Sequence, residues 1–291
     1  MKTTDLNRYR RFLAFHRSAA GLLDYAPPLT PLMTGLGAWL HPAKKANRLP
    51  PEWAHRWWHY LRVSSYATAL IYRIREISRL TDITWHDPDA TLDAIRQKGG
   101  LILTYHHSFA YHLPALVGSQ GIPLNILARS PSDNPLYEEY AAGWFADIEA
   151  FLNGGKWIFL SRDGHNPLHR VVRDLKAGMA LVSLHDFPNY YARAKTFRAT
   201  IQGRDIDAPV GMLDVAQRHG LPVSVGYVRW SGRRRLDVFL SSLNANGQEP
   251  VPVDVILTRY FRLLDGIIET EPEFWEGWAG LEHAIEPEKG I

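Results

Sequence analysis

The chain predicts an α/β fold: a mainly parallel sheet flanked by helices, with an all-helical N-terminal region packed on it. Three observations point there. From residue 100 onward, short β-rich apolar runs alternate with longer amphipathic segments, the pattern of strands joined by crossover helices. The 291 residues, 46% of them hydrophobic, can bury a large core. Residues 1–80 carry no strand signal. We divide the chain into a helical region, 1–80, and an α/β region, 81–291. No repeat or low-complexity linker separates them, so they are expected to form one compact unit.

In chain order, Leu6, Tyr9, Phe12, Leu13, Leu22 and Leu23 can line one face of a helix, with Arg8, Arg10, Arg11 and Arg17 supplying positive charge. Such a helix either docks on the domain or lies on an anionic membrane. "APPLTPLMTGLGAWL" is apolar but broken by Pro and Gly, as in a docked helical hairpin. "PEWAHRWWHYLRVSSYATALIYRIREI" predicts one long helix whose aromatics serve packing. The strand candidates are "LILTY", "LNILAR", "KWIFL", "ALVSLHD" and "VSVGYVRW". "RLDVFLSSL", after the "SGRRR" turn, is expected to extend the sheet antiparallel.

Composition removes several chemistries. With no cysteine, the chain has no disulfide, thiolate zinc site or Cys nucleophile. The net charge of +3 fits an acidic carrier protein, a phosphate-bearing substrate or an anionic membrane, and nothing calls for nucleic acid. No run reaches bilayer-spanning length, and "MKTTDLNRYRRFLAF" lacks a signal-peptide core. The expected location is cytoplasmic, or peripheral on the inner face of the membrane.

The segment "LILTYHHSFAYHLPAL", residues 101–116, concentrates the chemistry. In open α/β sheets, sites form at the carboxyl ends of strands, where His106 and His107 fall. Residues five apart on a helix point about 140° from each other. His107 and His112 therefore meet only if the first lies on the turn and the second in the opening helix. Packed, hydrogen-bonded histidines are the plain alternative. A metal site lacks the accompanying carboxylate motif, and we expect none. The HH-x3-DG signature of peptide-synthetase condensation domains would need Asp and Gly where Tyr111 and His112 stand.

A third pattern covers residues 80–280 in order. "GGLILTYHHSFAYH" resembles the lipid A late acyltransferases, relatives of the glycerol-phosphate and lysophospholipid acyltransferases, whose segment reads G-G-(apolar run)-x-H-x-G-N-W-E. "PLNILARSPSDNPLYEEY", "LKAGMALVSLHD" and "FRATIQGRDIDAPVGMLDVAQRHGLPVSVGYVRW" are similar to its later blocks, and "PEFWEGW" to its terminal P-E-x-(aromatic)-x-W element. The chain departs from the family in having H-x4-H for H-x4-D/E.

This resemblance implies an enzyme that moves an acyl group from an acyl carrier protein or coenzyme A thioester to a hydroxyl or amine. The acceptor would be a lipid or small molecule, in lipid or natural-product biosynthesis, with no cofactor beyond the thioester. His107 falls on the family's catalytic His, Tyr111 on its aromatic position and His112 on its acid. His112 can orient His107 only as a neutral ring, so Asp186, at its own strand end, is the alternative carboxylate. His106, Tyr111, Arg129 and Arg204 are the candidates for substrate binding; either arginine suits a phosphate or carboxylate. A thioester hydrolase on the same site and a catalytically inactive binding relative are the competing expectations.

Overall fold

The computed structural model describes residues 63, 66, 67, 70–129, 144–160, 167–186, 195–232, 234–244, 251–271 and 275. The amphipathic N-terminal segment, "APPLTPLMTGLGAWL" and most of the long aromatic segment lie outside the described residues. What is described of that last segment is helical as far as Ile71. It then turns at Tyr72 and Arg73 into a 3-10 turn, Ile74–Glu76, and a short helix α1, Ile77–Leu80, so the expected single helix to Ile77 is interrupted.

Nine strands and five further bounded helices follow among the described residues, besides a helical stretch at residues 144–149. They are β1 (Asp82–His86), α2 (Thr91–Lys98), β2 (Gly100–Thr104), α3 (His112–Ser119), β3 (Leu124–Arg129), β4 (Trp157–Leu160), α4 (Leu168–Lys176) and β5 (Ala180–Leu184). After them come β6 (Thr196–Ile201), β7 (Arg204–Pro209), α5 (Gly211–Arg218), β8 (Val223–Gly232), β9 (Arg235–Ser242) and α6 (Val253–Thr270). Seven strands form one sheet in the order β1-β9-β8-β2-β5-β3-β4. The run β8, β2, β5, β3 and β4 is parallel throughout. As expected, β9 adds antiparallel to β8; β1 pairs parallel to β9 at the far edge.

Strand side chains alternate between faces, and each face has its own core. Leu101, Leu103, Leu181, Val223 and Val225 pack with α4, α5 and α6. Ile102, Val182, Val238 and Leu240 pack with α2, α3 and the described helical residues from Val63 to Ile77. The central β2 is buried at all five positions. Gly99 and Gly100 let it sit there: φ is +70° and +154°, and a Cβ would lie 2.6 Å from the Met179 carbonyl oxygen and 2.7 Å from that of Pro222. The "GG" pair thus admits the chain leading into β5 on one side and into β8 on the other.

A hairpin that strand propensity alone did not mark stands apart from the sheet. β6 and β7 pair antiparallel around Gln202 and Gly203, both with positive φ, the two-residue geometry that matches strand twist. Ala199, Ile201, Ile206 and Ala208 point into the core while their neighbours face water. Among the described residues no helix is long and apolar enough to cross a membrane.

Candidate active site

The site forms where β2 and β5 end side by side. Their ladder pairs Gly100 with Ala180 and Thr104 with Leu184, and His185 N–H continues it to the Thr104 carbonyl at 2.9 Å. Carried two residues further, this register sets His106 opposite Asp186. The contact is made twice: the His106 backbone N–H donates to Asp186 Oδ2 at 2.9 Å, and His106 Nδ1 lies 2.7 Å from Oδ1. The Trp275 indole N–H donates to Oδ2 at 2.7 Å.

The Asp186 carboxylate is wholly buried, whereas the His106 side chain is 28% exposed. Burial by itself would raise the Asp186 pKa, but the charge and hydrogen bonds of His106, with the bond from Trp275, bring it below its ordinary value. An ionised carboxylate only accepts hydrogen bonds, so Nδ1 of His106 carries the proton. The ring's lone pair then sits on Nε2.

His107 is placed differently. Its backbone bridges antiparallel to Trp275, its ring lies 4.5 Å from that of Tyr105, and its Nδ1 accepts from the Phe109 N–H at 3.3 Å. Burial, above all, lowers its pKa to about 3; His112 and His106 push the same way and Asp186 opposes them. His112 opens α3, which was the condition for it to meet His107, but both of its ring nitrogens are buried without a hydrogen-bond partner among the described residues. No hydrogen bond therefore joins it to His107, and the expected orienting contact is not made. Burial lowers its pKa to about 4; the Ala67 and Phe109 carbonyls pull the other way without meeting hydrogen-bond geometry. Asp186, the alternative partner expected for His107, is bonded to His106 instead.

The remaining candidates scatter. Tyr111 precedes α3 and packs on Trp144 and Trp157, with ring centroids 5.0 and 6.1 Å away. Arg129 ends β3 at the same carboxyl edge of the sheet. Arg204 begins β7 beside a turn that Gln202 ties to Asp265 of α6, and no hydrogen bond or ion pair between described residues joins it to the His106–Asp186 pair. Two residues at this place escaped the sequence reading. Trp275, which donates to Asp186, stood in the quoted "PEFWEGW" without a role, and Ser108, next in sequence to His107, leaves its Oγ buried with no partner among the described residues. No group of three or more potential metal ligands occurs among the described residues.

No known protein-family profile matches the chain, and no curated protein matches it. Among solved structures it is similar to the 1-acyl-sn-glycerophosphate (LPA) acyltransferase PlsC from Thermotoga maritima, with 11% identity and a TM-score of 0.38 over 93% of this chain and 99% of that one.

Proposed function

We propose that the chain is an acyltransferase that takes an acyl group from a thioester, on a carrier protein or coenzyme A, and passes it to a hydroxyl or amine. One observation carries the reading: a buried carboxylate fixing the Nδ1 proton of a part-exposed histidine at the carboxyl ends of adjacent parallel strands. The ordered sequence resemblance to the lipid A late acyltransferases supports the choice of acyl transfer.

In this reading the general base is His106, not the His107 that the resemblance selects. His107 is held neutral by burial, and its Nδ1 is occupied by Phe109 N–H. His106 Nε2 takes the proton of the acceptor as its oxygen or nitrogen attacks the thioester carbonyl. Asp186 stabilises the imidazolium so formed, and the proton then passes to the departing thiolate. Water in place of the acceptor would give hydrolysis by the same steps. Membrane contact by the basic N-terminal segment is a further proposal, which flotation with anionic against neutral vesicles tests.

The experiment is thiol release from octanoyl thioesters of coenzyme A and of acyl carrier protein, with mass spectrometry of added hydroxyl and amine acceptors. His106→Ala is expected to lose about 100- to 10,000-fold in rate, and Asp186→Asn to fall in the same range with circular dichroism unchanged. A folded His106→Ala protein working at the wild-type rate would overturn the assignment.

A further inference from the structure

We infer that His107 is a second catalytic residue: its Nε2–H donates a hydrogen bond to the oxyanion that forms on the acyl carbonyl as the acceptor attacks. The inference rests on the acyl-transfer reading and adds to it the group that receives the developing charge.

Three observations lead to it. First, the Phe109 N–H donates to His107 Nδ1 at 3.3 Å. A nitrogen that accepts a hydrogen bond carries no proton, so the neutral ring bears its N–H on Nε2. His106 and His107 are thus opposite tautomers in consecutive residues: the lone pair of one is on Nε2, and the proton of the other is on Nε2. Second, that His107 N–H is buried and has no partner among the described residues. Buried polar groups in folded proteins are nearly always paired, and one left over at a site calls for a ligand atom.

Third, His107 is anchored by the residue that anchors the base. Trp275 bridges the His107 backbone and gives its indole N–H to Asp186. Packing on Tyr105 fixes the ring as well. Donor and base are therefore held by one framework, the preorganisation that stabilising a transient charge requires. The low pKa of His107, about 3, keeps the ring a neutral donor at neutral pH. A neutral imidazole is a known electrophile for carbonyl oxygen.

The step balances. The acceptor's O–H or N–H bond breaks, its proton going to His106 Nε2 as the new bond to the acyl carbon forms. The carbonyl π pair moves onto oxygen, which accepts the hydrogen bond from His107 Nε2–H. When that pair re-forms the C=O, the C–S bond breaks and the thiolate takes the proton from His106.

Two substitutions in the full chain separate this role from packing. His107→Gln can supply an amide N–H; His107→Leu supplies volume and no donor. With octanoyl-coenzyme A and octanoyl-acyl carrier protein as probes, the leucine variant is expected to lose about 100- to 1,000-fold in kcat with KM within about twofold. The glutamine variant is expected to stay within about tenfold of wild type. Ring-15N-labelled histidine adds a readout independent of turnover: His107 should titrate far below pH 6 with its proton on Nε2. A folded leucine variant with wild-type kcat, a glutamine variant as slow as the leucine one, or a proton found on Nδ1 would each overturn the inference. If the leucine variant does not fold, the glutamine variant and the tautomer decide. If the wild type releases thiol from neither probe, the acyl-transfer reading falls and takes the inference with it. Turnover with the wrong response at His107 removes the inference alone.

Discussion

His112 buries both ring nitrogens against Phe109 and close to Ala67 with no hydrogen bond among the described residues. Each such group keeps the cost of leaving water, about 1–3 kcal/mol, with nothing regained. Replacing the ring by a side chain of similar bulk and no polar atoms should therefore be neutral or stabilising: His112→Leu is expected to melt at or above the wild-type temperature at pH 7, by differential scanning calorimetry. A loss of several degrees would mean that the ring has a polar partner. At this scale the sequence was half legible. The strand-end argument put His106 and His107 just past β2, where they lie, whereas the five-residue spacing gave only the condition for His107 and His112 to meet, and no hydrogen bond joins them. Which histidine meets a carboxylate was not legible, because that depends on β5 lying beside β2. Once adjacency is known, laying "GLILTYHH" over "ALVSLHD" along the ladder pairs His106 with Asp186.

The β4 edge of the sheet depends on a close approach between chain segments. A Cβ on Gly155 would lie 1.6 Å from the Leu124 carbonyl oxygen, which is backbone and cannot swing aside. Gly155 lies in the turn that leads into β4, where Lys156 N–H donates to Asn125 Oδ1 and the Lys156 carbonyl accepts from Ile126 N–H. Gly155→Ala should push β4 away from β3 and cost about 1–3 kcal/mol, as overpacking does. Urea unfolding checks it, and an unchanged midpoint would show that the turn can give. The strands found from sequence were continuous apolar runs buried on both faces, such as β2 and β5. The strands missed were of another kind: β1 is half-exposed along its length, and β6 and β7 alternate polar with apolar residues around a Gln-Gly turn. Their signal is a period of two and a turn, not hydrophobicity.

Over the whole molecule, three neutral histidines make the fold sensitive to acid. Burial, the largest cause at each, lowers the pKa of His107 to about 3, and those of His112 and His185 to about 4. A pKa lowered on folding means that the unfolded chain takes up protons that the folded one refuses. Their stabilisation is whole above about pH 6.5 and drains as pH falls toward 4 and then 3, by up to about 1.4 kcal/mol per pH unit for each ring. Asp186, also lowered, acts in a more acid window, below its ordinary 3.8. Stability from urea titrations at pH 7, 6 and 5 should fall steeply across the series; a flat profile would place these rings in contact with water. The α/β class was legible from the alternation of runs. The two-face division of the core was not, because it is written in which strands become neighbours.

The β2–β5 ladder has a consequence for how the protein matures. His106 and Asp186 are 80 residues apart, and their meeting requires the parallel pairing that closes the whole intervening loop. Such distant contacts form slowly, since loop entropy is lost before they are rewarded. A one-residue slip in that pairing would also turn the alternating core residues to the wrong faces. A misregistered chain is therefore an unfinished one, and during refolding the His106–Asp186 contact reports the arrival of β5 beside β2.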